Sequence, residues 1–251
     1  MDIMQKTEQP DLFDAIIREL EAEEKQKTPQ MKQKNNEDSS NVLQRTKLEK
    51  SADNDSDQVL PGTETYSERK EFSCIHTEAV SLYDAVYTDC TFTGCSFNKT
   101  DLTNTTFTDC TFINCELVMC RIDGTTIDSV QFKSSRLTGI NFTEASEYGF
   151  SPDFTDCLLD SCVFYDNTLN HDCFINTTLR NTDFTNCRLK NVDFSGSRFQ
   201  SAGILGCNLE GSDFRSASGY SIDPSANKLK GARFSLPEAA SFLKYIGVTV
   251  E

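Results

Sequence analysis

Large apolar residues return at every fifth position over most of this chain. Stepping by five from Phe72 gives Phe72, Thr77, Leu82, Tyr87, Phe92, Phe97, Leu102, Phe107, Phe112, Leu117, Ile122, Ile127, Phe132, Leu137 and Phe142, with Thr77 the one polar member. The pattern resumes two residues out of phase at Phe154 and runs through Phe164, Phe174, Phe184, Phe194 and Phe199 to Phe214; Leu229 and Phe234 keep the new phase. Fifteen of the 18 Phe lie on this register, which neither a helix period of about 3.6 residues nor a strand period of about 2 produces. A short period sustained this long restricts the chain to a solenoid of stacked, nearly identical units.

Each unit has two further positions. Two residues before the large centre stands a small one: Cys90, Cys95, Thr100, Thr105, Cys110, Cys115 and Cys120 in the first stretch, and Cys157, Cys162, Thr177, Thr182, Cys187, Ser197, Cys207 and Ser212 in the second. Two residues after the centre comes a turn former such as Asp89, Gly94, Asn104, Asn176, Asn186 or Gly206; these residues bond their own backbone or tolerate unusual φ. Nine of the 11 cysteines fall on the small position. They are expected as small buried groups with a weak S–H donor, not as disulfides or metal ligands. Asn167 and Asp172 break the small-residue rule in consecutive repeats, which marks that stretch of wall as distorted or polar.

A chain that buries a large residue, buries a small one and turns every five residues closes a square coil in twenty. Coils of this kind stack at about the inter-strand spacing of 4.8 Å, and the centres from 72 to 142 and from 154 to 214 make seven of them. Segments such as Thr182-Asp183-Phe184-Thr185-Asn186 and Ser212-Asp213-Phe214-Arg215-Ser216 resemble the pentapeptide-repeat family. The resemblance implies an all-β fold, a right-handed quadrilateral β-helix over residues 71–236. The register break at 143–153 contains Gly149 and Pro152, which mark a bend. It reads either as a kink between two half-rods or as a partner-contacting protrusion carrying Tyr148 and Phe150.

The ends differ from the rod. Ser235-Leu236-Pro237-Glu238 has the capping residue, Pro and acid of a helix start. Ala239, Phe242, Leu243 and Ile246 then form an apolar stripe, Gly247 ends the helix, and Val248-Thr249-Val250 follows as a short strand, so residues 237–251 form a separate segment. An open solenoid exposes its last coil, so this helix is either a cap or half of a dimer seam. The tail from Ile222-Asp223-Pro224 onward resembles the C-terminus of the quinolone-resistance and gyrase-inhibiting pentapeptide proteins, which implies a homodimer through Phe242, Leu243, Tyr245 and Ile246. Residues 1–70 are an N-terminal extension. Within it, 10–27 carries Leu12, Phe13, Ile16, Ile17 and Leu20 on one stripe of an amphipathic helix, and 28–70 has the composition of a disordered tether. The helix either folds back on the rod or docks a partner.

Little in the chain suggests chemistry. It has two His, His76 where the repeat begins and His171 at a turn position, and no base stands near a nucleophile in a pattern that builds a pocket. No catalytic residue, metal ligand or cofactor is expected. No apolar run reaches the roughly 20 residues of a membrane span, and no leader-like apolar segment follows Met1. With no Cys-x-x-Cys pair, these features point to the reducing cytoplasm and no membrane. The 24 Lys and Arg stand against 39 Asp and Glu, a net charge of −15, of which −5 lies in residues 1–70 and −10 after them. This balance disfavours direct nucleic-acid binding and favours a protein partner with a basic surface.

Positions twenty apart stack, so Asp89 is expected over Asp109 and Asp193 over Asp213, with Asp123, Asp128, Asp156, Asp160, Asp166 and Asp183 adding charge elsewhere. Carboxylates about 4.8 Å apart along a rod resemble a row of phosphates; the alternative is a charged surface that keeps the rod soluble. The family resemblance implies a non-enzymatic DNA mimic that binds a type II topoisomerase, gyrase or topoisomerase IV. The competing expectation is a scaffold or translocated effector that docks a partner through residues 10–27. Two departures from these relatives, the 70 residues before the repeat and the lack of long projecting loops, weaken any expectation of quinolone protection.

Overall fold

The structure, a computed structural model, describes residues 65–169 and 171–248. The expected helix at 10–27, the tether up to residue 64 and the last two residues of the expected terminal strand lie outside the described residues.

Each large centre forms the middle of a short strand, buried between more exposed neighbours, as in Thr91–Thr93 and Thr106–Thr108. The turn former two residues on adopts the left-handed conformation, with φ of 52° at Asp89, 56° at Asn104 and 60° at Asn186. Asn and Asp tolerate this region better than other residues with a side chain. The chain therefore changes direction after every strand, and every strand pair is parallel and joins successive coils.

Four walls result. Wall one holds Tyr66–Glu68, Val86–Thr88, Thr106–Thr108 and Thr126–Asp128. Wall two holds Glu71–Ser73, Thr91–Thr93, Thr111–Ile113, Val130–Lys133, Pro152–Thr155 and Phe174–Ile175. Wall three runs from His76–Glu78 to Arg198–Gln200 through seven strands. Wall four has isolated bridges in place of strands, Ser81 to Asp101 to Arg121 and Asn141 to Val163 to Asp183 to Gly203. Further bridges extend wall one through Thr168, Arg188, Asn208 and Lys228.

The core of wall two is a continuous stack of nine rings, Phe72, Phe92, Phe112, Phe132, Phe154, Phe174, Phe194, Phe214 and Phe234. Successive centroids lie 4.6 to 5.2 Å apart. Nine rings make about eight turns, one more than the apolar register alone indicated. The solenoid also starts earlier than residue 71, at the strand Tyr66–Glu68. Its centre, Ser67, is only 5 % exposed, and a small polar centre hides this coil from an apolar pattern.

The two-residue shift at 143–153 is absorbed without loss of pairing. Val130 pairs with Pro152 and Leu137 with Leu159, 22 residues apart instead of 20. The Phe142 ring stacks on Phe164 at 4.4 Å across the break. The rod is continuous, and the extra residues leave as an excursion after the 3₁₀ turn Phe142–Glu144. At the far end Gly219, with φ 75°, stands where wall three would continue above Phe199; a side chain there would strike the Phe199 carbonyl, and the wall stops.

The terminal helix is 3₁₀, Glu238–Ile246, and Gly247 closes it in the left-handed conformation. Three residues per turn place Ala239, Phe242 and Tyr245 on one edge. Phe242 meets Phe234 edge-on at 4.8 Å, and the Tyr245 hydroxyl hydrogen-bonds Ser221 Oγ at 2.7 Å. The α-helical stripe of Ala239, Phe242, Leu243 and Ile246 is thereby split, and Ile246 is left 71 % exposed. The helix caps the ninth ring of the stack.

Candidate functional site

The interior explains the cysteines. The Cys, Ser and Thr side chains at small positions give their hydrogen to a carbonyl of the previous coil, as in Cys110 Sγ to Tyr87 O at 3.4 Å, Cys115 Sγ to Phe92 O at 3.3 Å and Cys187 Sγ to Phe164 O at 2.6 Å. Thr105 and Thr125 hydroxyls make the same bond to Leu82 O and Leu102 O at 2.8 and 2.7 Å. Burial pushes the Cys110 and Cys162 thiols up to about 12, so they stay protonated donors. Cysteine here is the smallest apolar residue that can still satisfy a buried carbonyl. Among the described residues no group of three or more His, Cys, Asp or Glu could hold a metal ion. His76 lies exposed at the start of a wall-three strand, and His171 is an exposed left-handed residue whose Nε2 is 3.5 Å from Asn191 Nδ2.

The outer surface carries the acidic residues expected from the repeat. Asp89 stacks over Asp109 beside the paired Thr88 and Thr108, and Asp193 bridges to Asp213. The ten aspartates do not form one row. Each five-residue step turns the chain onto the next wall, so Asp89, Asp109 and Asp128 edge wall one, Asp156, Asp193 and Asp213 belong to wall two, Asp160 to wall three, and Asp123, Asp166 and Asp183 to wall four. Several carboxylates are already engaged. Arg180 approaches Asp160 to 2.6 Å, Arg215 approaches Asp213 to 2.6 Å, Arg121 approaches Asp123 to 3.4 Å and Arg69 approaches Asp89 to 3.5 Å. The hydrogen bond and charge of Arg215 hold the Asp213 carboxyl below the usual range. Asp183 and Asp193 each accept a backbone N–H two residues on at 2.8 Å. Asp109, Asp156 and Asp166 are exposed corner residues.

Charge is instead divided along the length. Between residues 65 and 169, 16 acidic residues face six basic ones; between 171 and 248, nine basic residues face seven acidic ones. One half of the rod carries −10 and the other about +2.

The excursion provides the second surface feature. Tyr148 stands 88 % exposed at its tip, whereas Phe150 turns inward against Phe142, with centroids 6.0 Å apart. A cleft of about 770 Å³ opens beside it, lined by Thr143, Glu147, Phe150, Tyr165, Asn167 and Arg188 among others. At the C-terminal end Leu236, Ile246 and Val248 are exposed at 80 %, 71 % and 46 %. Of the residues expected in a dimer seam, Phe242 faces the core end, Leu243 is half-buried, Tyr245 is tied to Ser221, and Ile246 projects outward. No helix among the described residues is long and apolar enough to cross a membrane.

A family model described as a pentapeptide repeat region matches residues 85–146 and 150–220. The fold is similar to solved structures of QnrB1, a plasmid-mediated fluoroquinolone resistance protein. Against full-length QnrB1 the TM-score is 0.50 at 16 % identity, covering 73 % of this chain and 100 % of that one. Against two trypsin-treated forms it is 0.53 at 17 %, covering 72 % and 100 %, and 0.51 at 18 %, covering 74 % and 91 %. No curated protein matches the chain.

Proposed function

The chain belongs to the pentapeptide-repeat family, and from that premise we propose that it is a non-enzymatic binding rod whose acidic half, residues 66–169, fills a basic DNA-binding groove of a type II topoisomerase, gyrase or topoisomerase IV. The observation that carries this reading is the division of charge. Five turns at about 4.8 Å span roughly 24 Å, so −10 amounts to one net charge per about 2.4 Å, against one per about 1.7 Å in duplex DNA. The same density over the whole rod would be far lower, because the second half is slightly basic. Solubility alone needs charge of either sign anywhere on the surface; it does not call for a DNA-like density confined to one half.

The exposed Leu236 and Ile246 support a homodimer that joins the capped ends and leaves the acidic halves at the two tips. The partner named is cytoplasmic, and the reduced thiols accord with that compartment. Resistance to fluoroquinolones, the property of QnrB1, is a separate outcome that the same assay reads.

The test is a supercoiling titration of gyrase with the full chain at two salt concentrations, with and without a quinolone. Inhibition that weakens at the higher salt supports the reading, and relief of the drug adds protection to it. No effect at micromolar protein counts against it.

A further inference from the structure

We propose that Asp172 is a proton-dependent latch in the wall just past the register break, closing its coil when the carboxyl is protonated and loosening it when the carboxyl is ionised. The inference rests on the geometry of the core and is independent of the partner.

Asp172 occupies a small position of the core, at the corner leading into wall two. In the same column Cys90 donates to Ser67 O at 3.5 Å, Cys110 donates to Tyr87 O at 3.4 Å and Ser212 donates to Leu189 O. Pro152 and Val192, which fill the same position on the coils directly below and above Asp172, give no hydrogen and carry no charge. A carboxylic acid is a neutral occupant of such a column, whereas a carboxylate buries a charge in it and can only accept.

Some oxygen side chains at small positions, the serines among them, also receive a bond from the N–H of the residue one coil earlier. Ser212 accepts from Val192 N at 3.2 Å, Ser135 from Cys115 N at 3.0 Å and Ser197 from Thr177 N at 2.9 Å. In the register that pairs Phe154 with Phe174, the residue before Asp172 is Pro152, which has no N–H to give. The backbone donor that would stabilise an ionised oxygen is missing beneath Asp172.

The surrounding charge has the wrong sign for ionisation. Asp153, on the coil below, is the charge that acts on the Asp172 carboxyl. Asp193, on the coil above, donates its N–H to the Asp172 carbonyl at 3.3 Å and is itself acidic. The neighbouring Cys173 thiol is neutral, pushed up to about 12 by burial and by its hydrogen bond with Asp153, and His171 is exposed beside Asn191. Asp172 is 8 % exposed, and burial, then the charge of Asp153, push its carboxyl up to about 7. In an opened coil it returns to the ordinary range near 4. The closed coil therefore holds a proton that the open one releases: opening becomes easier as pH rises from about 4 to about 7 and changes little above that.

The test is hydrogen exchange of the full chain at pH 5 and pH 7.5, corrected for intrinsic rates, on peptides covering 166–176 with 90–130 as internal reference. The wild type should show an opening equilibrium on the order of 50-fold larger at pH 7.5 in the first stretch, with the reference unchanged. Asp172→Asn, which keeps a donor and cannot titrate, and Asp172→Ser, which copies Ser212, should each abolish the difference. If one variant fails to fold, the other carries the comparison. Protection at 166–176 that is equal at both pH values in the wild type, or a drop that persists in either folded variant, would overturn the proposal.

Discussion

Asp160 and Arg180 stand directly opposite one another on adjacent coils of wall three, with the guanidinium nitrogen 2.6 Å from the carboxylate. This pair separates a structural carboxylate from an available one. The side chains are 18 % and 43 % exposed, so the pair contributes no more than about 1 kcal/mol. Asp160→Asn should lower stability by about 0.5–1 kcal/mol in a urea titration and leave partner affinity nearly unchanged, because its charge is already answered within the chain.

The ring stack sets a gradient of cost. Phe174 is fully buried, with Phe154 and Phe194 stacked at 5.1 and 5.2 Å on either side. Phe174→Ala should cost about 3–5 kcal/mol. Phe234 is only partly buried and ends the stack under Phe242, so Phe234→Ala should cost about half as much. Equal losses in denaturant unfolding would contradict a rod whose stability is summed coil by coil.

The donor role of the cysteines predicts an unusual order of tolerance. Cys110→Ser keeps a hydrogen for Tyr87 O and should change stability by less than about 1 kcal/mol, whereas Cys110→Ala leaves that carbonyl unsatisfied and should cost about 1–3 kcal/mol. Alkylation under native conditions tests the same assignment. Cys74 is exposed and should react first, half-buried Cys173 slowly, and the nine buried thiols only after unfolding.

The two ends of the apolar tail should separate cap from seam. Phe242→Asp removes the lid from Phe234 and should lower the melting temperature by several degrees. Ile246→Asp alters a side chain 71 % exposed and should leave the melting temperature in place while converting a dimer to a monomer in light scattering.

Most of this architecture was legible because the period is written in the core itself: one large residue per strand, one small donor per corner, one left-handed residue per turn. The first coil escaped because Ser67 fills a centre that only a neighbour's register identifies. The C-terminal stripe read at α-helical spacing, and the tighter 3₁₀ pitch goes with the contact of Phe242 on Phe234, which no local pattern signals. Asn167 and Asp172 were visible as irregularities. Their meaning was not, since it depends on what lies one coil away: Asn167 Oδ1 is buried without a partner beside the excursion, and Asp172 sits above a proline. The division of charge was present in the sequence throughout. A count split at residue 70 concealed it, because the boundary that matters falls near residue 170, after the register break.

The most direct measurement of the central claim is displacement of a labelled DNA duplex from gyrase, followed by anisotropy, with the wild-type chain and an Asp109→Asn, Asp156→Asn, Asp166→Asn variant. These three corner residues have φ of 54°, 54° and 60°, which Asn adopts as readily as Asp, so the variant removes charge and keeps the turns. Wild type should displace the duplex in competition with it, and the variant should need about tenfold more protein. Equal displacement by both chains, or none by the wild type, would contradict an acidic half-rod that takes the place of DNA.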